Sequence, residues 1–317
     1  DAHFFFASFS YRQRFYTVFV PPTFLGRFGT VFGAVDILAP LKNFWRRRRF
    51  GAVDFGLDDF GGNDLVIDSN VQINDTSAFR IMFHSDTLKN HRDYYDGDRI
   101  GFNPTLKVKM SDRTTLDLSY EHADHERFID RGIPTENGSP VKRFAGITFG
   151  DSKGDNLQTL EADIFRASLS TVFSDTRKAN LQIVSSEYEK MYKNYYASGY
   201  TAGATVVTMD GYLDPTEREN TIISGNLVNE IQIGSATHTM LFGAEIIDTT
   251  NNNFRYNTYF SNTKDDNEVF NITDPMDFTV NAAGQASTND YTADLKSKTK
   301  SDIEVTSIYF QDQIDVS

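Results

Sequence analysis

Residues 115–141 read TLDLSYEHADHERFIDRGIPTENGSPV, and this stretch decides the fold. Leu116, Leu118, Tyr120 and His122 alternate with Thr115, Asp117, Ser119 and Glu121. A repeat of two places successive side chains on opposite faces of a β-strand. The strand runs into a polar loop centred on Asp130-Arg131-Gly132-Ile133-Pro134. Gly132 frees the backbone, and Pro134 fixes φ and removes a donor, so pairing must stop there.

The same alternation recurs from residue 50 onward. The pattern predicts strands near 50–59, 65–73, 79–83 and 100–110, with the quoted strand fifth. Further strands are predicted near 160–174, 179–196, 221–234 and 238–251, and from 300 to the end of the sequence. Pro104 interrupts the fourth and predicts a bulge or a lost ladder bond there. The predicted connections alternate in length. Short ones fall at 74–78, 111–114, 175–178 and 235–237, and longer ones at 91–98, 127–158, 197–220 and 252–299. Hairpin turns on one rim and long loops on the other are the plan of an outer-membrane barrel. The expected fold is therefore all-β, an antiparallel up-and-down transmembrane β-barrel, with about ten strands of a larger barrel over residues 50–317.

Composition agrees with that plan. The 317 residues carry a net charge of −13, which argues against a protein that tracks nucleic-acid phosphates. No cysteine is present, so neither disulfides nor thiolate metal sites arise. Aromatics make up 14%, with 27 Phe, 15 Tyr and one Trp. Mean hydropathy is −0.43, and no apolar run is long enough for a membrane helix. A membrane strand needs only about ten residues with alternate positions apolar, so such a composition is compatible with a barrel.

Two motifs in the quoted stretch resemble the TonB-dependent ferric-siderophore receptors of Gram-negative outer membranes. They are Asp130-Arg131-Gly132-Ile133-Pro134 and Gly138-Ser139-Pro140-Val141. Leu241-Phe242-Gly243-Ala244-Glu245 is similar to the family's apolar-Gly-x-Glu strand, and Tyr309-Phe310-Gln311-Asp312 to its Tyr-x-Gln-Asp strand. The matches follow family order. The resemblance implies a 22-stranded barrel with an N-terminal plug, of which this chain covers roughly the first half of the barrel.

Residues 1–49 differ from the rest. Residues 1–50 hold eleven Phe, the run Arg46 to Arg49, and only two acids, Asp1 and Asp36. Gly26-Arg27-Phe28-Gly29-Thr30 and Gly33-Ala34-Val35-Asp36 loosely resemble the family's plug end, so this irregular segment is read as a damaged or out-of-frame plug remnant. An Arg-rich, acid-poor leader is the alternative. Both ends of the sequence read as cut, and the plug, the TonB box and the last strands are expected elsewhere.

The resemblance implies a receptor that binds a ferric siderophore at its extracellular mouth and imports it with TonB-derived energy. Its partners would be the ferric siderophore, the TonB complex through the missing N-terminal region, and outer-membrane lipid. Aromatic faces and guanidinium groups suit a bulky anionic chelate. The candidates on the long-loop side are Tyr94, Tyr95, Arg127, Phe128, Asp130, Arg131, Tyr195, Tyr196, Tyr200, Phe254 and Tyr256, with Arg131 foremost. Each could instead belong to an interfacial aromatic girdle or pack its own loop. The iron arrives chelated, so no cofactor and no protein metal ligand is expected. His122 and His125 are three apart on a strand and face opposite ways. Asp93, Asp96 and Asp98 miss the spacing of a calcium loop. Glu121, Asp124 and Glu126 are carboxylates without a cleft framework, and Gly-x-Ser-x-Gly is absent, so no enzyme is expected. A passive porin or adhesin barrel and a secreted all-β carbohydrate-binding module are the rival readings.

Overall fold

A computed structural model describes residues 49–153 and 156–316. The chain divides into two units, 1–33 and 34–317, and all described residues belong to the second. The segment read as a plug remnant lies, apart from Arg49, outside the described residues.

Thirteen strands are described. β1 is Arg49–Leu57, β2 Asn63–Gln72, β3 Ser77–Lys89, β4 Asp96–Lys109 and β5 Thr114–Phe128. Two short strands follow, β6 (Thr135–Glu136) and β7 (Ser139–Pro140). Then come β8 (Leu157–Ser174), β9 (Arg177–Gly199), β10 (Val206–Ile233), β11 (Ala236–Asn257), β12 (Glu268–Asn271) and β13 (Leu295–Val316). The ten long strands form one sheet in the order β1-β2-β3-β4-β5-β8-β9-β10-β11-β13, with β12 beside β10 and β6 paired to β7 alone. Every pairing is antiparallel. No helix of the described residues is long and apolar enough to cross a membrane.

A meander of this kind puts alternate connections at the same end. Residues 73–76, 110–113, 175–176 and 234–235 turn at one rim, and 58–62, 90–95, 129–156, 200–205 and 258–294 at the other. The expected connection at 197–220 shrinks to 200–205, because β10 begins at Val206 and not near Thr221. Over 210–220 charged residues occupy both faces and Pro215 intervenes, which hides the alternation. At Pro104 no register shift occurs. The β4–β5 ladder skips Asn103 and Pro104 and resumes unchanged at Thr105↔Ser119. The imino nitrogen costs bonds without bending the strand.

The pairing register sorts side chains into two unlike faces. On one, Leu118, Ala167, Ile183, Ile223 and Ile246 stand in a single cross-strand row. Leu116, Leu169, Leu181, Gly225, Ala244 and Ile308 form the next row. The opposite face carries Ser168, Gln182, Ser224, Glu245 and Ser307. Its polar groups bond one another: Asn180 Nδ2 donates to Ser168 and Ser170, Asn220 Nδ2 to Ser186, and Thr249 Oγ1 to Asn220 Oδ1. Gly243 is paired with Tyr309, whose ring occupies the space a Cβ would need.

A water-soluble sheet would cover its apolar face. Here that face is open, with Ile246 54% and Ile308 87% exposed. The buried core lies instead under the long connections, where Phe144, Phe149, Tyr195, Val207, Met209, Phe260, Phe270, Met276 and Tyr291 pack together. Between the apolar rows and that core, the same face turns acidic. Asp124, Glu161, Glu189 and Glu217 are aligned across four strands, and His122, Asp163, Glu187 and Glu219 across the next row.

Candidate functional site

The long-connection rim is built from the loop 129–156 outward. Asn156, 1% exposed, fastens it. Its amide nitrogen donates to the carbonyls of Ile129 and Tyr195, and its oxygen accepts from the N–H of Tyr195 and of Asp151. All four bonding positions of the amide are thereby filled. Within the loop, Asn137 (φ 50) and Gly138 (φ 77) turn β6 into β7. Positive φ at both central residues is what a two-residue hairpin requires, and Asn-Gly supplies it at low strain. On one flank, Glu136 accepts from Tyr200 at 3.1 Å and from the Gly203 N–H, while Arg143 donates to the Tyr200 oxygen. The Tyr200 hydroxyl is held above its ordinary pKa, first by burial and then by its bond to Glu136. It brackets the hairpin by donating to Glu136.

Arg131 leaves this loop toward the polar face of the sheet. Its guanidinium sits 4.0 Å over the ring of Tyr196 and 5.7 Å from that of Tyr212, and it donates to Asn194 Oδ1 at 3.2 Å. Arg255 covers Tyr212 at 3.6 Å and pairs with Asp214 at 2.8 Å. Tyr192 stacks on Tyr212, and the Tyr196 hydroxyl donates to Asp210. Strand alternation explains the gathering. Tyr192, Asn194 and Tyr196 share one face of β9, and Asp210, Tyr212 and Asp214 the matching face of β10. Arg131 is held by a neutral amide and by ring faces, so its charge stays available to an anion. Arg255 is matched by a carboxylate. Two guanidiniums and three phenol rings at one mouth suit a flat, anionic, aromatic-rich or chelating ligand.

No family model matches this chain. It is 26% identical over 200 residues to the metal-pseudopaline receptor CntO of Pseudomonas aeruginosa (strain UCBPP-PA14), a match covering 60% of this chain and 25% of that protein. Among solved structures it resembles the ferric-catecholate import receptor Fiu of E. coli K12 in its closed form, with a TM-score of 0.66 at 16% identity over 86% of this chain and 39% of Fiu. It also resembles P. aeruginosa FpvA bound to heterologous pyoverdines, with a TM-score of 0.67 at 13% identity over 84% of this chain and 35% of FpvA. These likenesses show the fold: the chain is built as part of an antiparallel β-barrel of the kind those receptors have. It spans about a quarter of the curated relative and under two fifths of these structures.

In this sheet the candidates from sequence fall into separate settings. Arg131 and Tyr196 meet directly. Tyr195 points the other way and is 3% exposed, stacked with Phe260 and Tyr291 in the rim core. Phe128 is buried too. Arg127 makes two bonds to Gln158 Oε1, at 3.1 and 2.7 Å. It lines a cleft of about 280 Å³ together with Tyr94, Asp93 and Phe128. Tyr95 is half-buried, and its N–H donates to the Arg92 carbonyl. Asp130 pairs with Arg92, and Tyr200 braces Glu136. Phe254 and Tyr256 stack on each other, on the face of β11 opposite Arg255.

Sequence reasoning passed over Tyr212, Arg255, Asn194 and Arg92. Tyr212 and Arg255 fall within stretches whose sequence reads as connections, and only the pairing of β10 with β9 and β11 places them. Among the described residues, His122, Glu161 and Asp163 bring ligand atoms within 4.8 Å of one another. They lie on the apolar side of the sheet, away from Arg131, and His122 Nδ1 is already 2.9 Å from Asp163.

Proposed function

We propose that this chain forms wall and mouth of an outer-membrane receptor that binds ferric siderophores at the long-connection rim and imports them with TonB-derived energy. The observation that carries the reading is the pairing of an open apolar face with a hydrogen-bonded polar face in one sheet, topped by the Arg131–Tyr196–Tyr212–Arg255 cluster. The apolar rows meet lipid, where backbone groups must be paired within the sheet. The polar face lines a wet interior. The metal ion is cargo, enclosed in its chelate, and is not bound by protein ligands. The relatives named above are receptors for metal chelates, which supports the same cargo class here. Energy for uptake comes through the TonB complex, engaged by regions of the longer protein.

A secreted sandwich module would bury Ile246 and Ile308 under a second sheet. The second sheet among the described residues is the two-stranded β6–β7 pair. A passive porin would have no use for a rim closed by a packed core of Phe, Tyr and Met.

The test compares Arg131→Ala with Lys107→Ala in the full-length parent. Lys107 lies near the short-turn rim, paired with Asp117 at 3.1 Å. Charge-assisted bonds of about 1.5–3 kcal/mol predict a loss of roughly tenfold or more for Arg131→Ala. Lys107→Ala contributes only screened, diffuse attraction. Equal affinities for a panel of ferric chelates, in variants that both fold, would overturn the reading.

A further inference from the structure

Arg92 lies in the connection 90–95, and its guanidinium is spent on the neighbouring loop. Nε donates to Asp130 Oδ2 at 2.6 Å, Nη2 to the Ile147 carbonyl at 2.7 Å, and Nη1 to the Ala145 carbonyl. The side chains of Arg92 and Asp130 are only 11% and 12% exposed. The backbone of Arg92 is itself fixed, its N–H donating to Asn90 Oδ1 at 2.8 Å. The second oxygen of Asp130 accepts from the Gly132 N–H at 2.8 Å, across a turn in which Gly132 has φ +87. These two bonds bracket Arg131 in the chain. With Asp130 and Gly132 held, Arg131 is directed to Asn194 and the tyrosine rings.

We propose that Arg92 is the positioning residue for ligand capture: it fixes Asp130, and through Asp130 it presents the Arg131 guanidinium to the chelate. The inference rests on the binding reading above and deepens it. Three acceptors in different directions require a planar fork of donors, which lysine does not have. A lysine keeps a cation opposite Asp130 but cannot also hold the carbonyls of Ala145 and Ile147 in the guanidinium's geometry, so the loop must rearrange. The effect is therefore expected even from the charge-conserving change.

The experiment uses the full-length parent in detergent, with a ferric tris-catecholate, a ferric hydroxamate and ferric citrate as probes. Equilibrium binding is measured for the wild type, Arg92→Lys, Arg131→Ala and the double variant. Arg92→Lys is expected to lose roughly tenfold for the best-bound probe, as expected when the geometry of a charge-assisted contact is lost. In the Arg131→Ala background the same change should cost less than about twofold, since coupled residues are non-additive. A merely structural role would give the same loss in both backgrounds, and that result overturns the proposal. So does an Arg92→Lys affinity within about twofold of the wild type. If Arg131→Ala leaves affinity unchanged, the binding reading fails and the positioning role with it. Should Arg92→Lys not fold, Asp130→Asn keeps the turn to Gly132 while removing the ion pair, and it is judged by the same two comparisons.

Discussion

Asn156 and Tyr195 exchange hydrogen bonds as two paired strands would. The Tyr195 N–H donates to Asn156 Oδ1 at 3.0 Å, and Asn156 Nδ2 donates to the Tyr195 carbonyl at 3.0 Å. A side-chain amide thus continues the sheet where the backbone of β8 has not yet begun. Asn156→Ala strips partners from buried backbone groups at about 1–3 kcal/mol each. Asn156→Asp is expected to be at least as damaging, because an oxygen would then face the carbonyls of Ile129 and Tyr195. Hydrogen exchange should show lost protection over 129–156 and at Tyr195, with β1–β4 unaffected. Full protection in the aspartate variant would contradict this account.

Gly211 cannot accept a side chain without displacing its neighbours. A Cβ there would lie 2.3 Å from the Asn194 carbonyl oxygen and 2.8 Å from both Thr258 Cγ2 and the Tyr195 ring. Thr258 is fully buried, accepting from the Gly211 N–H at 3.1 Å and donating to the Asp266 carbonyl. Gly211→Ala should destabilise this packing by about 1–3 kcal/mol, the usual cost of overfilling a core. Limited proteolysis within 258–294 should speed up, and an unchanged digestion rate would show that the backbone yields cheaply.

Glu189 stands between Glu161 and Glu217 in the acidic row. Like charges directly opposite in a sheet are unfavourable, by up to about 1 kcal/mol per pair. Glu189→Gln is therefore expected to raise the thermal unfolding midpoint at low ionic strength. The gain should shrink at about 1 M salt, where the screening length falls to about 3 Å. A gain independent of salt would point to a cause other than repulsion.

Tyr212 offers its ring to the guanidiniums of Arg255 and Arg131. Tyr212→Phe keeps that face, and Tyr212→Leu removes it. Each cation–π contact is worth roughly 0.5–2 kcal/mol. The leucine variant should therefore bind ferric chelates at least about threefold more weakly than the phenylalanine variant. Equal binding by the two would remove the ring face from the site.

The strands were legible because each face of the sheet keeps one character, apolar or polar, for many residues. Ile223, Leu227 and Ile231 betray β10 in this way. Over Asp210 to Asn220 charged residues fall on both faces, so the period is lost and the stretch reads as a connection. The site suffered for that reason. Arg131 was visible through its motif, but Tyr196 is 65 positions away in the chain and only register brings it near. Tyr195 and Phe128 are aromatic residues of the long-connection rim, and alternation and loop packing turn them inward. Arg92 carried no local signal: Ala145 and Ile147 contribute only backbone oxygens, and Asp130 is 38 positions away in the chain.

If the chain forms the receptor wall proposed above, the 28 residues of β10 have a consequence for transport. At about 3.3 Å per residue the strand runs roughly 90 Å, whereas about ten tilted residues cross a bilayer. Its apolar-face residues from Ile223 to Ile233 supply that crossing. The portion from Val206 to Ile222 therefore lifts the mouth on the order of 40 Å clear of the lipid. A chelate caught there and one entering the membrane plane are at different altitudes, separated by several times a small ligand's diameter. Capture and descent must then be distinct events. In that reading, the wall of amides and hydroxyls at Asn220, Asn226 and Ser224 is the surface along which the second takes place.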